Sequence, residues 1–233
     1  LADVSEGKDV PEELEHLLKS KNAFAVVLLS AGWNESAVEL LKVKVIPDEF
    51  PSWVAVDFTE ALKQLRGDKV ALEFAIEQKQ TPEMEILAGE LLLSEGNLDA
   101  AYEKFNKHIY RNDDLGLKAT RGASLIAFQK GDLYRAKELI EGHNKLSANP
   151  SGREVLARIA IAEGEMTMAT ELYESIAQKS LEAKSFLAKK AFTDKNWQRA
   201  QELTMELLKE YPNSALLQQN YHKIEHELSK PAH

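Results

Sequence analysis

The chain has 233 residues, 44% of them hydrophobic and 29% charged, with a formal net charge of −9. That balance argues against general binding to nucleic acid or to an anionic membrane surface, both of which need a basic face. The absence of cysteine excludes disulfides, thiolate metal sites and a cysteine nucleophile.

Residues 1–9 are polar, and an opening at Leu1 without Met reads as a processed or excised piece, with room for a signal or anchor upstream. Asp9-Val10-Pro11-Glu12-Glu13 predicts a helix start, with Pro in the first turn and carboxylates at the positive end. Leu14, Leu17 and Leu18 give that helix one apolar face. Residues 23–29 form the longest apolar run, far short of the roughly 20 residues of a membrane span. They read as a helix or as a buried strand, since short apolar runs fit both. Gly32-Trp33-Asn34 is a turn, and residues 35–43 form a second helix. Pro47 and Pro51 force extended backbone around them. Residues 46–51 are therefore the expected joint between an N-terminal piece and the rest.

Residues 52–65 and 69–78 read as the next helical hairpin, closed by Arg66-Gly67-Asp68. Thr81-Pro82-Glu83 is an N-cap followed by proline and opens helices at 82–95 and 98–110. Further pairs follow at 113–130 with 133–145, at 153–163 with 167–178 after a turn cluster at 147–152, and at 181–193 with 197–210. A polar helix at 215–228 comes last, with residues 230–233 as a tail.

These hairpins share a register. An Ala-x-Glu pair recurs as Ala37/Glu39, Ala71/Glu73, Ala101/Glu103, Ala136/Glu138, Ala169/Glu171 and Ala200/Glu202, with alanines 34, 30, 35, 33 and 31 residues apart. A period in the low thirties marks a helical repeat array. Five residues before each alanine stand Gly32, Arg66, Gly96, Gly131, Gly164 and Lys195, mostly the residue that accepts left-handed backbone between helices. Twelve before stand Ala25, Thr59, Gly89, Ser124, Ala157 and Ala188, all small, as close-packed antiparallel helices require. Three after stand Leu40, Phe74, Lys104, Leu139, Leu172 and Leu203, apolar in five of six.

On these columns the chain resembles the tetratricopeptide repeat (TPR) family, over residues 18–213 and most clearly in the last four units. The small residue of the first helix and the alanine of the second match that family's diagnostic positions, and Pro212 stands where a proline often closes a unit. The large aromatic of the family's first helix is missing from most units. The resemblance implies an all-α fold, a right-handed superhelical α-solenoid of about six TPR-like helical hairpins with a C-terminal capping helix. The expected organisation is an N-terminal segment with a degenerate repeat at 1–50, a degenerate hairpin at 51–80, repeats at 81–213, and the capping helix and tail at 214–233.

The resemblance also implies a non-enzymatic scaffold or adaptor that binds a protein or peptide in a concave groove lined by the first helices, in the assembly of a larger complex. Candidate partner-binding residues are Lys118, Arg121, Leu125 and Phe128 in one unit, Arg158 and Ile161 in the next, and Lys189 and Phe192 in the last. Their basic row suits an acidic partner and their apolar row suits anchors on it. The alternative is a secretion-type chaperone or co-chaperone that holds a client segment. The carboxylate clamp of chaperone-adaptor members is not met, since Ile86 and Glu90, or Arg121 and Leu125 one unit later, occupy its positions.

No cofactor is expected: the turn glycines lack the Gly-Lys-Ser/Thr of a phosphate loop. His222-Lys223-Ile224-Glu225-His226 matches the H-x-x-E-H of inverted zinc proteases. A metal hydrolase there would need a further ligand downstream and a cleft. With seven residues remaining and a capping helix as context, a solvated polar face is the expectation.

Overall fold

The structure, a computed structural model, describes residues 21–41, 44–48 and 50–230. The helix expected from Asp9 lies outside them. Within them are fourteen helices and no strand. In chain order they are α1 (Lys21–Ser30), α2 (Asn34–Leu40), α3 (Trp53–Arg66), α4 (Asp68–Glu77), α5 (Pro82–Ser94), α6 (Leu98–Asn106), α7 (Asp114–Gln129), α8 (Leu133–Glu141), α9 (Asn144–Ala148), α10 (Pro150–Ala162), α11 (Met166–Glu174), α12 (Leu181–Thr193), α13 (Trp197–Glu210) and α14 (Ala215–Leu228). The apolar run at 23–29 is helical. The class is all-α, built from six helical hairpins with α14 after the last.

The chain divides into two compact units, Leu1–Ala123 and Ser124–His233. In both, the hairpins keep one register. All six anchor alanines are fully buried, at 0% exposure. The small residues twelve before them are buried too, from Ala25 to Ala188. Ser124 shows why the two columns go together: its hydroxyl donates to the Ala136 carbonyl at 2.7 Å. Two backbones approach this closely only if neither carries a large side chain at the crossing.

The turns are equally regular. Gly96, Gly131 and Gly164 have φ of 78°, 80° and 81°, the left-handed region open to glycine at little cost. At each, the next residue's N–H reaches back to close the preceding helix, as Asn97 does to the Leu92 carbonyl at 2.9 Å. After Gly96, Gly131 and Lys195 the next residue also caps the following helix: the Asn97, Asp132 and Asn196 side chains accept from Ala100, Arg135 and Arg199 N–H, whereas Glu165 after Gly164 makes no such bond. Lys195 takes the turn position without being glycine, at φ 58°.

Several expectations need correction. The positive-φ residue between α3 and α4 is Gly67, not Arg66: it alone joins the two helices, where three residues do so in the other hairpins, and it ends one helix and starts the next. The helix expected from Arg153 starts at Pro150, with Asn149 as N-cap accepting from Ser151 N–H at 3.0 Å, because proline suits a first helical position. A short helix, α9, fills part of the expected turn cluster. The apolar column three after the anchor is only partly core: Leu40 is 37% exposed. The column one residue later is the buried one, with Leu41, Ala75, Phe105, Ile140, Tyr173 and Thr204 all between 0 and 4% exposed.

In the unit ending at Ala123, the ring of Phe105 lies between two glycines. A Cβ on Gly89 would stand 2.8 Å from it and one on Gly122 2.4 Å, closer than carbon atoms approach. The described part of the segment between α2 and α3 is non-helical, as its prolines require, yet firmly held. Buried Gln78 accepts from Ile46 N–H at 2.8 Å and donates to the Lys44 carbonyl at 2.9 Å, while Phe50 enters the core with Val54 and Phe58. In the other unit, α14 covers the end of the last hairpin through Ile224, fully buried against Ala191 and Ala200.

Candidate functional site

The candidate residues lie on the first helices α7, α10 and α12 and differ in how far packing engages them. In the unit ending at Ala123, Lys118 is exposed and Arg121 half-buried on α7. The Nε atom of Arg121 is buried and makes no hydrogen bond. Glu90 on α5 belongs to the same charged neighbourhood. Burial pushes its carboxyl above the usual range, against the pull of Lys118, Lys63 and Arg121. Ile86, one turn earlier on α5, is core at 2% exposure.

In the unit from Ser124, Leu125 and Phe128 are half-buried on α7 and Ile161 is exposed at the end of α10. Arg158 is half-buried and committed within the protein. Its Nε donates to Glu182 Oε1 at 2.7 Å and its Nη2 to Glu182 Oε2, so α10 and α12 are joined by a two-pronged ion pair. Tyr173 of α11 donates its hydroxyl to the same Glu182 oxygen at 2.7 Å. Burial, then that hydrogen bond, holds the Tyr173 phenol well above its ordinary range. Nearby, Ser180 donates to Glu154 and caps α12 through Ala183 N–H. Charge at Arg158 is thus largely neutralised in place. The sequence missed this network because its members lie 24 and 9 residues apart and meet only through helix packing.

Lys189 on α12 is exposed. Phe192, at the end of α12, is not an open apolar anchor. Its ring meets Trp197 edge-on at 5.3 Å and lies under the Lys223 ammonium of α14 at 5.1 Å. The structure thus leaves Lys118, Ile161 and Lys189 exposed, Arg121, Leu125 and Phe128 half-buried, and engages Arg158 and Phe192 in contacts of their own.

His222 and Glu225 of α14 lie on its exposed face, with His222 Nδ1 3.5 Å from Glu225. Among the described residues no group of three His, Cys, Asp or Glu is placed to hold a metal ion, and no helix is long and apolar enough to cross a membrane.

No family model and no curated protein matches the chain. Solved structures do. It is similar to pilF of Pseudomonas aeruginosa, with 17% identity over 93% of this chain and 100% of that one and a TM-score of 0.58. A putative kinesin light chain of Podospora anserina with nearly identical TPR-like repeats is 18% identical, over 72% of this chain and 96% of that one, with a TM-score of 0.49. At such identities the likeness concerns the fold. Taken with the repeat register, it makes this a TPR-type helical repeat protein in architecture.

Proposed function

We propose that the protein is a non-enzymatic scaffold that binds protein or peptide partners along its first helices. The observation that carries this reading is the split character of those helices. On α7, α10 and α12 the small-residue column is buried, while Lys118, Ile161 and Lys189 stay exposed and Arg121 half-buried. A helical repeat array offers an extended surface to a partner segment. Exposed lysines on α7 and α12 and an exposed isoleucine on α10 suit a segment with acidic residues and apolar anchors. Arg158 contributes by fixing α12 against α10, through Glu182, rather than by offering free charge.

The test is capture of copurifying proteins from an extract of the source cells by the full chain and by Lys118→Glu/Lys189→Glu. Both lysines are exposed, so the variant should keep its helicity and melting within about 0.5 kcal/mol. Loss of the captured protein, with recovery by Lys118→Arg/Lys189→Arg, is the expected result. Full retention by the charge-reversed variant would remove the first-helix face as the binding surface.

A further inference from the structure

On the second-helix face of the unit ending at Ala123, α2 and α4 form the walls of a groove with α3 as its floor. Its volume is about 1020 Å³. Phe58 and Leu62 at the base are buried, whereas Leu40, Val70 and Ile76 on the walls are 37, 40 and 55% exposed. The equivalent groove in the other unit lies between α8 and α11 over α10, and holds about 440 Å³. The two correspond position by position: Val38 matches Lys137, Phe58 matches Leu156, Val70 matches Met168, and Glu73 matches Glu171. The same architectural groove is therefore larger in one unit and lined by more apolar side chains there. Exposed apolar surface gathered in a concavity marks a docking site more often than scattered apolar residues do.

Charge indicates what would fill it. The walls α2 and α4 carry Glu35, Glu39, Asp68, Glu73 and Glu77 against Lys69 alone. Among the described residues, the cations that line the groove are Lys44, paired with Glu77 at 3.4 Å, and Arg66. The walls of the counterpart are less acidic, with two cations, Arg135 and Lys137, against Glu138, Glu141, Glu171 and Glu174. Walls made of helices have no strand edge to offer, so a bound segment must satisfy its own backbone, as a helix does.

We infer that the α2–α4 groove is a second docking surface, distinct from the first-helix face, and that it takes an amphipathic helix of a partner protein with lysines or arginines flanking an apolar stripe. The apolar stripe would rest on Val70 and Ile76 over Phe58 and Leu62, and the flanking cations would face Glu39 and Glu73.

The probes are two labelled helical peptides of equal length, one of leucine and lysine and one of leucine and glutamate, each titrated by fluorescence anisotropy into the full chain. The basic peptide is expected to bind and the acidic one not. Ile76→Asp should weaken the basic peptide at least about tenfold, since one large apolar contact is lost. General attraction of a cationic peptide to an acidic protein would instead strengthen with the added carboxylate, so the sign separates the two. Glu39→Lys/Glu73→Lys should shift preference toward the acidic peptide. Equal binding by wild type and Ile76→Asp would overturn the proposal. So would a concentration-dependent dimer abolished by Ile76→Asp in sedimentation, which assigns the face to a second copy. Binding seen only after deletion of residues 1–20 would overturn it as well, by assigning the groove to this chain's own N-terminal segment.

Discussion

In the unit from Ser124 onward, the turns at Gly131, Gly164 and Lys195 share one hydrogen-bond pattern, and α10 is tied to α12 by Arg158 and Glu182 with Tyr173 joining from α11. The unit ending at Ala123 is less uniform. Its turn at Gly67 is two residues shorter, the described part of the connection from α2 to α3 is held by Gln78, and the ring of Phe105 fills a slot between Gly89 and Gly122. Both reach the same buried alanine column. One relies on polar links between repeats, the other on a tight aromatic–glycine contact and a buried amide. The contrast teaches that the small-residue columns define the repeat, and that the links between repeats are free to vary.

That contrast can be broken at either end. Gly122→Ala places a methyl against the Phe105 ring and should cost about 1–3 kcal/mol, read as a fall in denaturation midpoint; Phe105→Leu in the same chain should recover part of it. Glu182→Gln keeps the volume but removes the charge facing Arg158, and should cost about 1–2 kcal/mol, less than complete burial would give because the pair is partly solvated. Thermal unfolding with double-mutant cycles against Arg158→Met measures the coupling directly. Lys195→Gly works in the other direction. It relieves a left-handed lysine, partly offset by the entropy of glycine, and should raise stability by about 0.5–1 kcal/mol.

Smallest is the effect of Glu90→Gln. Burial raises the folded-state pKa of this carboxyl above its unfolded value. The charged form therefore destabilises the fold at neutral pH, and the penalty fades as pH falls through the raised folded pKa. The variant should melt higher than wild type near neutral pH, with the difference gone once both states of Glu90 are protonated. A lower melting temperature for the variant at neutral pH would show that attraction to Lys118 and Lys63 outweighs burial.

Much of the fold was legible because its rule is steric and local. Ala136 and Ser124 must be small where two helices touch, and Gly131 must accept a left-handed turn, so both leave columns in the sequence. The bounds of α12, α13 and α14 were read to the residue, since caps such as Asn196 and Ser214 announce them. What escaped depends on contacts between helices. Gly122 looks like any helical glycine until Phe105 is placed beside it. The column of Leu41, Phe105 and Tyr173 varies in size from repeat to repeat, so no pattern marks it as core. Of the candidate site, the first-helix positions were legible from the register, but the commitment of Arg158 to Glu182 and of Phe192 to Trp197 was not, because both partners come from the next element in space.

The register itself is tested most directly by a column scan. Each of Ala37, Ala71, Ala101, Ala136, Ala169 and Ala200 is changed to Leu, each of Glu39, Glu73, Glu103, Glu138, Glu171 and Glu202 is changed to Gln, and all twelve variants are unfolded in denaturant. Six hairpins in one register predict a loss of about 1–3 kcal/mol at every alanine and changes within about 0.5 kcal/mol at every glutamate. An alanine that accepts leucine without loss, above all Ala37 or Ala71, would contradict the account by removing its hairpin from the repeat.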